Sequence, residues 1–166
     1  MSLDNIQLPP MVIKGLFRKT LVDLKTNQPV EKKAPDPSLN ILGKNNKGIL
    51  AIVNNKDTAF LEDEELNFLL GILSACKLNM DDAGILNISK HKAADYKKIS
   101  ADLNAEIVLL FGVAVDEIKL PLSFPEYQIQ RYNNQTYLSA PSLTALQHDK
   151  TEKTKLWNCL KQIFSI

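Results

Sequence analysis

From residue 48 onward, apolar positions alternate between two periods. ILAIVNN (49–55) is a continuous apolar run ending in amides, the pattern of a strand covered on both faces. EDEELNFLLGILSACKL (62–78) opens with acids, which favour a helix amino end. It then sets Leu66, Leu69, Leu70, Leu73 and Cys76 on one helical stripe, widened by Phe68 and Ile72. AGILNIS (83–89) reads as a second buried strand, AADYKKISADL (93–103) as a second helix, and EIVLLFG (106–112) as a third strand closed by Gly112. Apolar strands separated by helices predict parallel pairing through right-handed crossovers. YQIQRY (127–132) and TYLSA (136–140) read as further strands, with a hairpin over Asn133-Asn134. Pro141 ends the last strand, Ser142–Gln147 gives a short helix, and Asp149 caps another whose third residue is Glu152, as in a capping box. Leu156, Trp157, Leu160, Ile163 and Phe164 form its apolar face, with Lys150, Lys153 and Lys155 towards solvent. The expected fold class is α/β: a three-layer α/β/α sandwich around a mostly parallel sheet of about four to five strands.

Ahead of residue 48 the pattern differs. PPMVIKGLFRKTLVDL (9–24) places Val12, Ile13, Leu16, Phe17, Leu21 and Leu24 on one helical face and Lys14, Arg18 and Lys19 off it. Pro9 and Pro10 suit a first turn, whereas Gly15 weakens the helix. Residues 25–47 are rich in Pro, Lys, Asn and Gly without a sustained period, which predicts a linker. The predicted organisation is an amphipathic arm (1–24), a linker (25–47) and an α/β domain (48–166). An arm held on such a tether docks on a partner, folds across its own domain or joins two copies. Its expected partner-binding residues are Val12, Ile13, Leu16, Phe17 and Leu21.

Composition narrows the chemistry. With 166 residues, 45% of them hydrophobic, the chain can bury one core beside an appendage. A formal charge of +1 argues against tight non-specific DNA binding, leaving direct DNA contact open. Cys76 and Cys159 have neither disulfide nor zinc spacing and read as small buried hydrophobes. No apolar run approaches the ~20 residues of a membrane span, and no secretory-type segment opens the chain, so a reducing cytoplasm is the expected setting.

The common catalytic motifs are missing. Gly43 and Gly48 have phosphate-loop spacing, but Ile49-Leu50 follows where Lys-Ser/Thr is needed, and the strand comes after the glycines. No dinucleotide fingerprint or serine elbow is present. His91 and His148 lie in polar turns and read as solvated; Glu62–Glu65 are helix-start charges. No metal or cofactor is expected. Asp57 follows the first strand, and polar residues collect after the others: Asn54, Asn55, Asn87, Ser89 and Ser142. Amides there either read a base edge or cap turns.

The order of these parts resembles the uracil-DNA glycosylase-like superfamily over roughly residues 48–165. LNFLLGILSACKLNMDDAGILNISK (66–90) follows that family's helix–turn–strand order, with Asn87 where its base-reading Asn sits. AEIVLLFG (105–112) matches its next strand. APSLTALQHDKTEKTKLWNCLKQI (140–163) is similar to its H-P-S-x-L followed by P-x-x-K-x-x-h-W-x-x-L. The resemblance implies a glycosylase-like fold. Yet Ala140 stands at the position of the catalytic His, and Asn54-Asn55-Lys56-Asp57 replaces the water-activating loop. The four cluster-binding cysteines are absent. Asn54, Asn55, Asp57, Asn87, Ala140, Pro141 and Ser142 are therefore expected to form a vestigial pocket, with no catalytic residue.

A catalytically silent family of this architecture is the psi subunits of bacterial DNA polymerase III clamp-loader complexes, whose S-P-A-L-T-x-L…L-W run SAPSLTAL…LW resembles. That resemblance implies an adaptor whose arm docks on clamp-loader subunits or another replication protein, with no membrane involved. A divergent glycosylase-like enzyme acting on DNA bases through Asn87 and Asp57 is the alternative.

Overall fold

A computed structural model of the chain describes residues 38–166. The predicted arm, with Val12, Ile13, Leu16, Phe17 and Leu21, and most of the predicted linker lie outside the described residues. The described residues form six strands and four helices: β1 (Ile41–Gly43), β2 (Ile49–Val53), α1 (Asp63–Ala75), β3 (Ala83–Asn87), α2 (Tyr96–Leu103), β4 (Ile107–Phe111), β5 (Ile129–Tyr132), β6 (Gln135–Ala140), α3 (Leu143–His148) and α4 (Lys150–Phe164).

The strands make one sheet in the order β1-β3-β2-β4-β6-β5. β3, β2, β4 and β6 run parallel, while β1 pairs antiparallel with β3 and β5 with β6. The sheet is thus six-stranded and mixed, not the mostly parallel sheet of about four to five strands expected. β5 and β6 do form the anticipated hairpin. Tyr132 faces Gln135 across Asn133 and Asn134, both with positive φ, the geometry a two-residue hairpin turn requires. The strand missing from the sequence reading is β1. It has only three residues, and Ile41 and Leu42 are too few to show a period among the polar residues around them. The compact unit runs from Leu39 to Ile166, so residues 39–47 belong to the domain and not to a linker.

β2 and β3 are buried at every position. On one face Ile49, Ala51, Val53, Ile85, Leu109 and Leu138 pack under α1, α3 and α4 through Leu69, Leu73, Leu146, Leu156 and Leu160. On the other, Leu50, Ile52, Leu86, Val108, Leu110 and Tyr137 pack against Ile99 of α2 and against Ile118 and Leu120 of the long segment after β4. Burying a large apolar side chain stabilises by about 2 kcal/mol, against about 1 kcal/mol net for a ladder hydrogen bond. Side-chain burial therefore sets where β2 lies.

Helix ends follow local chemistry. Asp95 accepts from Lys98 N at 2.9 Å and caps α2. Asp149 accepts from Thr151 N and Glu152 N and caps α4. The expected capping box is only half formed, because the Glu152 carboxylate turns away to accept from the Tyr127 hydroxyl and from Lys155 at 2.7 Å. Those two donors, Lys155 first, hold the Glu152 carboxyl below its ordinary range. Burial, reinforced by this carboxylate, raises the Tyr127 phenol.

α1 ends in a Schellman motif: Leu78 N donates to Leu73 O and Lys77 N to Ser74 O, each at 2.9 Å. Its left-handed position is Lys77, at φ 59°. A lysine there carries a Cβ penalty that glycine lacks. Lys77→Gly is expected to stabilise the domain by about 0.5–1 kcal/mol, a net of relieved strain and greater unfolded-chain entropy. The check is a higher urea midpoint with unchanged slope.

Candidate functional site

Register brings the strand ends into one row. Val53 lies opposite both Asn87 and Phe111, and Phe111 opposite Ala140. The residues that follow share the carboxyl edge of the four parallel strands, where open α/β sheets place their sites. Every residue of the expected pocket is at or beside this edge.

Asn87 is 1% exposed. Its Oδ1 accepts from Asn55 N at 3.0 Å and from Ser89 N at 3.2 Å. Its Nδ2 faces the carbonyls of Asn55, Thr58 and Ala59 at 2.7, 3.1 and 3.2 Å. Ser89 Oγ lies against both Asn55 O and Asn87 Oδ1. One amide thus holds the whole turn after β2. Asn55 Oδ1 adds an Asx turn, accepting from Asp57 N at 3.0 Å and Thr58 N at 3.2 Å. The Asp57 side chain is left at the surface. Reading a base edge needs amide hydrogens aimed into a pocket; those of Asn87 are aimed at backbone.

The opposite end of the row is closed as well. Ala140 is 2% exposed and belongs to the core. Gly112 N donates to Ala140 O at 2.9 Å. At φ +64°, Gly112 lies so near the next turn that a Cβ would sit 2.9 Å from Ser142 Cβ. Pro141 is half-buried and Ser142 Oγ accepts from Ala145 N, capping α3. Glu65 of α1 ties the two ends together, accepting from Thr144 Oγ1 at 2.5 Å and from Asn55 Nδ2 at 3.4 Å.

What remains open at this edge is a cleft of about 570 Å³ lined by Asn54, Lys56, Ile88, Ser89, Lys90, Lys92 and Glu117. Of the expected pocket residues only Asn54 lines it; Asn87 and Ala140 do not. Asn54 Nδ2 donates to Glu117 Oε2 at 3.1 Å and Lys90 Nζ to Lys56 O at 2.8 Å, so its polar groups partly satisfy one another. His148 is exposed and His91 half-buried, neither lining the cleft. Burial raises both thiols, Cys76 and Cys159, away from the thiolate a nucleophile needs.

A second opening lies on the helical face. α1 and α4 leave between them a groove of about 420 Å³ lined by Phe68, Gly71, Ile72, Ala75, Leu156, Trp157 and Leu160, with Asn67 and Lys153 at its edges. Trp157, on the apolar face expected of α4, is half-buried: it packs against the core and also forms a groove wall. Lys153, expected in solvent, lies half-buried with Nζ 5.3 Å from the Phe68 ring centroid. Gly71 is exposed in mid-helix, and a Cβ built there meets nothing within 4 Å. Glycine in a helix interior costs about 1 kcal/mol relative to alanine, and no contact within the domain calls for it. The sequence signal was present: one glycine inside a leucine-rich helix.

Among the described residues no cluster of metal-ligating side chains occurs, and no helix is long and apolar enough to cross a membrane. Compared with known families and with curated proteins, the chain matches no family model and none of the curated sequences.

Asn87→Ala is expected to cost about 2–4 kcal/mol in urea unfolding, because it strips partners from several part-buried backbone groups at once. Asn87→Asp should be worse at neutral pH, since it turns a carboxylate towards three carbonyls. Its folded-state pKa is then raised, so part of the loss should return as pH falls and the carboxyl gains a proton to donate. A side chain kept for ligand reading would leave the unfolding midpoint unchanged in both variants.

Proposed function

We propose that this chain is a non-catalytic adaptor subunit of the bacterial replicative polymerase's clamp-loader complex. In this reading it is similar in role to the psi subunit and is built on a three-layer, uracil-DNA glycosylase-like scaffold. The single observation that carries the reading is that Asn87 and Ala140, where a base-reading amide and a catalytic His would stand, are buried and kept out of the cleft at the carboxyl edge. Base excision needs an extruded base in a pocket, an aligned water and a donor to the leaving oxygen. At this edge Asn87 and Gly112 join the strand ends to their neighbouring turns, and Ala140 carries a methyl group. Losing one such donor alone costs ~100–1,000-fold in rate.

The arm supplies the other half of the proposal. Val12, Ile13, Leu16, Phe17 and Leu21 form the face that docks on a clamp-loader subunit, and the α/β domain engages a second partner. The divergent-glycosylase reading rests on the residue type at Asn87. It is the weaker of the two, because that amide is spent on the turn after β2.

Immobilised full-length chain is expected to capture purified clamp-loader subunits, and Phe17→Asp to lower capture by about tenfold or more. Capture insensitive to that change rejects the assigned face. Uracil-containing single- and double-stranded DNA should stay free of abasic sites. Their formation by wild type and its loss in Asp57→Asn, which alters only an exposed side chain, would establish the enzyme instead.

A further inference from the structure

We propose that the groove between α1 and α4 is a docking site for an acidic amphipathic helix of a partner protein. The proposal deepens the adaptor reading and rests on it only in needing a protein partner, which need not belong to a clamp loader.

The groove's shape and lining point to a helix. Two helices present apolar walls, Phe68 and Ile72 from one and Leu156, Trp157 and Leu160 from the other, open to solvent between them. A third helix laid into such a trough buries a stripe of apolar side chains at helical spacing. Gly71 sits on the α1 side with open space above it, where the missing side chain admits a closely approaching backbone.

The rim decides which helix. Lys153 Nζ lies 5.3 Å from the Phe68 ring centroid and Lys161 Nζ 5.6 Å from that of Trp157. Two ammonium groups therefore stand over the aromatic walls, and no carboxylate lines the groove. Among the described residues neither lysine pairs with an acid, whereas Lys155 on the same helix is taken by Glu152. An incoming segment with carboxylates flanking its apolar stripe meets both cations. The chain's own amphipathic segment, residues 9–24, does not fit that description. It holds Lys14, Arg18 and Lys19 against Asp23, and would bring like charge to the rim. A second copy joined groove to groove about a two-fold axis would bring the Lys153 and Lys161 cations of both copies to one interface. The fitting occupant is a different, acidic protein.

The test is a fluorescence-anisotropy titration of the full-length chain with a labelled helical peptide carrying leucines at helical spacing and glutamates beside them. The control peptide has lysine at every glutamate position. The acidic peptide should bind saturably, weaken with added salt, and outbind the basic one by about tenfold or more. Gly71→Leu, which strengthens the helix while filling the groove, should weaken binding by a similar factor with an undiminished thermal midpoint. Lys153→Glu with Lys161→Glu should reverse the preference between the peptides. Phe17→Asp should change nothing, which separates failure of the arm assignment from failure of this one. Absence of saturable binding, equal affinity for both peptides, or indifference to Gly71→Leu overturns the proposal. Two further results would also reject it. Tighter peptide binding in Phe17→Asp would mean the arm fills the groove, and self-association in sedimentation that Gly71→Leu abolishes would mean a second copy does.

Discussion

Burial of β2 on both faces is the constraint from which the rest of the domain follows. With parallel neighbours on either side and no solvent-facing position, β2 needs cover above and below the sheet. A parallel neighbour is reached only by a crossover long enough to hold a helix. The connection to β3 places α1 on one face, and that from β3 to β4 places α2 on the other. The register then lines up the four carboxyl ends, and a single edge collects every turn that follows a parallel strand.

In a catalytic domain that edge is kept concave, with polar side chains aimed outward. Here Asn87 is turned inward, while Asn54 lines the cleft that stays open. A backbone carbonyl shut away from water without a partner costs about 1–3 kcal/mol, and the turn after β2 presents three part-buried carbonyls to the two amide hydrogens of Asn87. Satisfying them consumes the amide. Gly112 against Ser142 closes the far end by contact, and Glu65 bridges between the two ends. Polar residues at a strand end are thus ambiguous until their partners are known.

A second opening lies on the helical face, where Phe68, Ile72 and Trp157 remain half-buried beside an unneeded glycine. An apolar trough with cations over its rings has the shape and charge to recognise a helix.

The sequence by itself determined the parts whose pattern is local. The apolar runs of β2, β3 and β4 show their burial directly, Asn133-Asn134 specifies its turn by tolerating positive φ, and Asp149 caps because its carboxylate reaches the N–H groups two and three residues on. The positions of Asn54, Asn55, Asn87 and Ser142 at one edge were legible too, since each ends a recognisable strand or turn. Only the tertiary structure decided what those residues do and which elements complete the sheet. β1 is a strand because Ala83–Asn87 offers it an edge, not because three residues encode one. Asn87 is a tie because a turn some thirty residues earlier in the chain brings its carbonyls within reach. The groove exists because α1 and α4, far apart in sequence, lie side by side on one face. Hydrogen-bond partners and groove walls are relations between distant segments, and no periodicity within either segment records them.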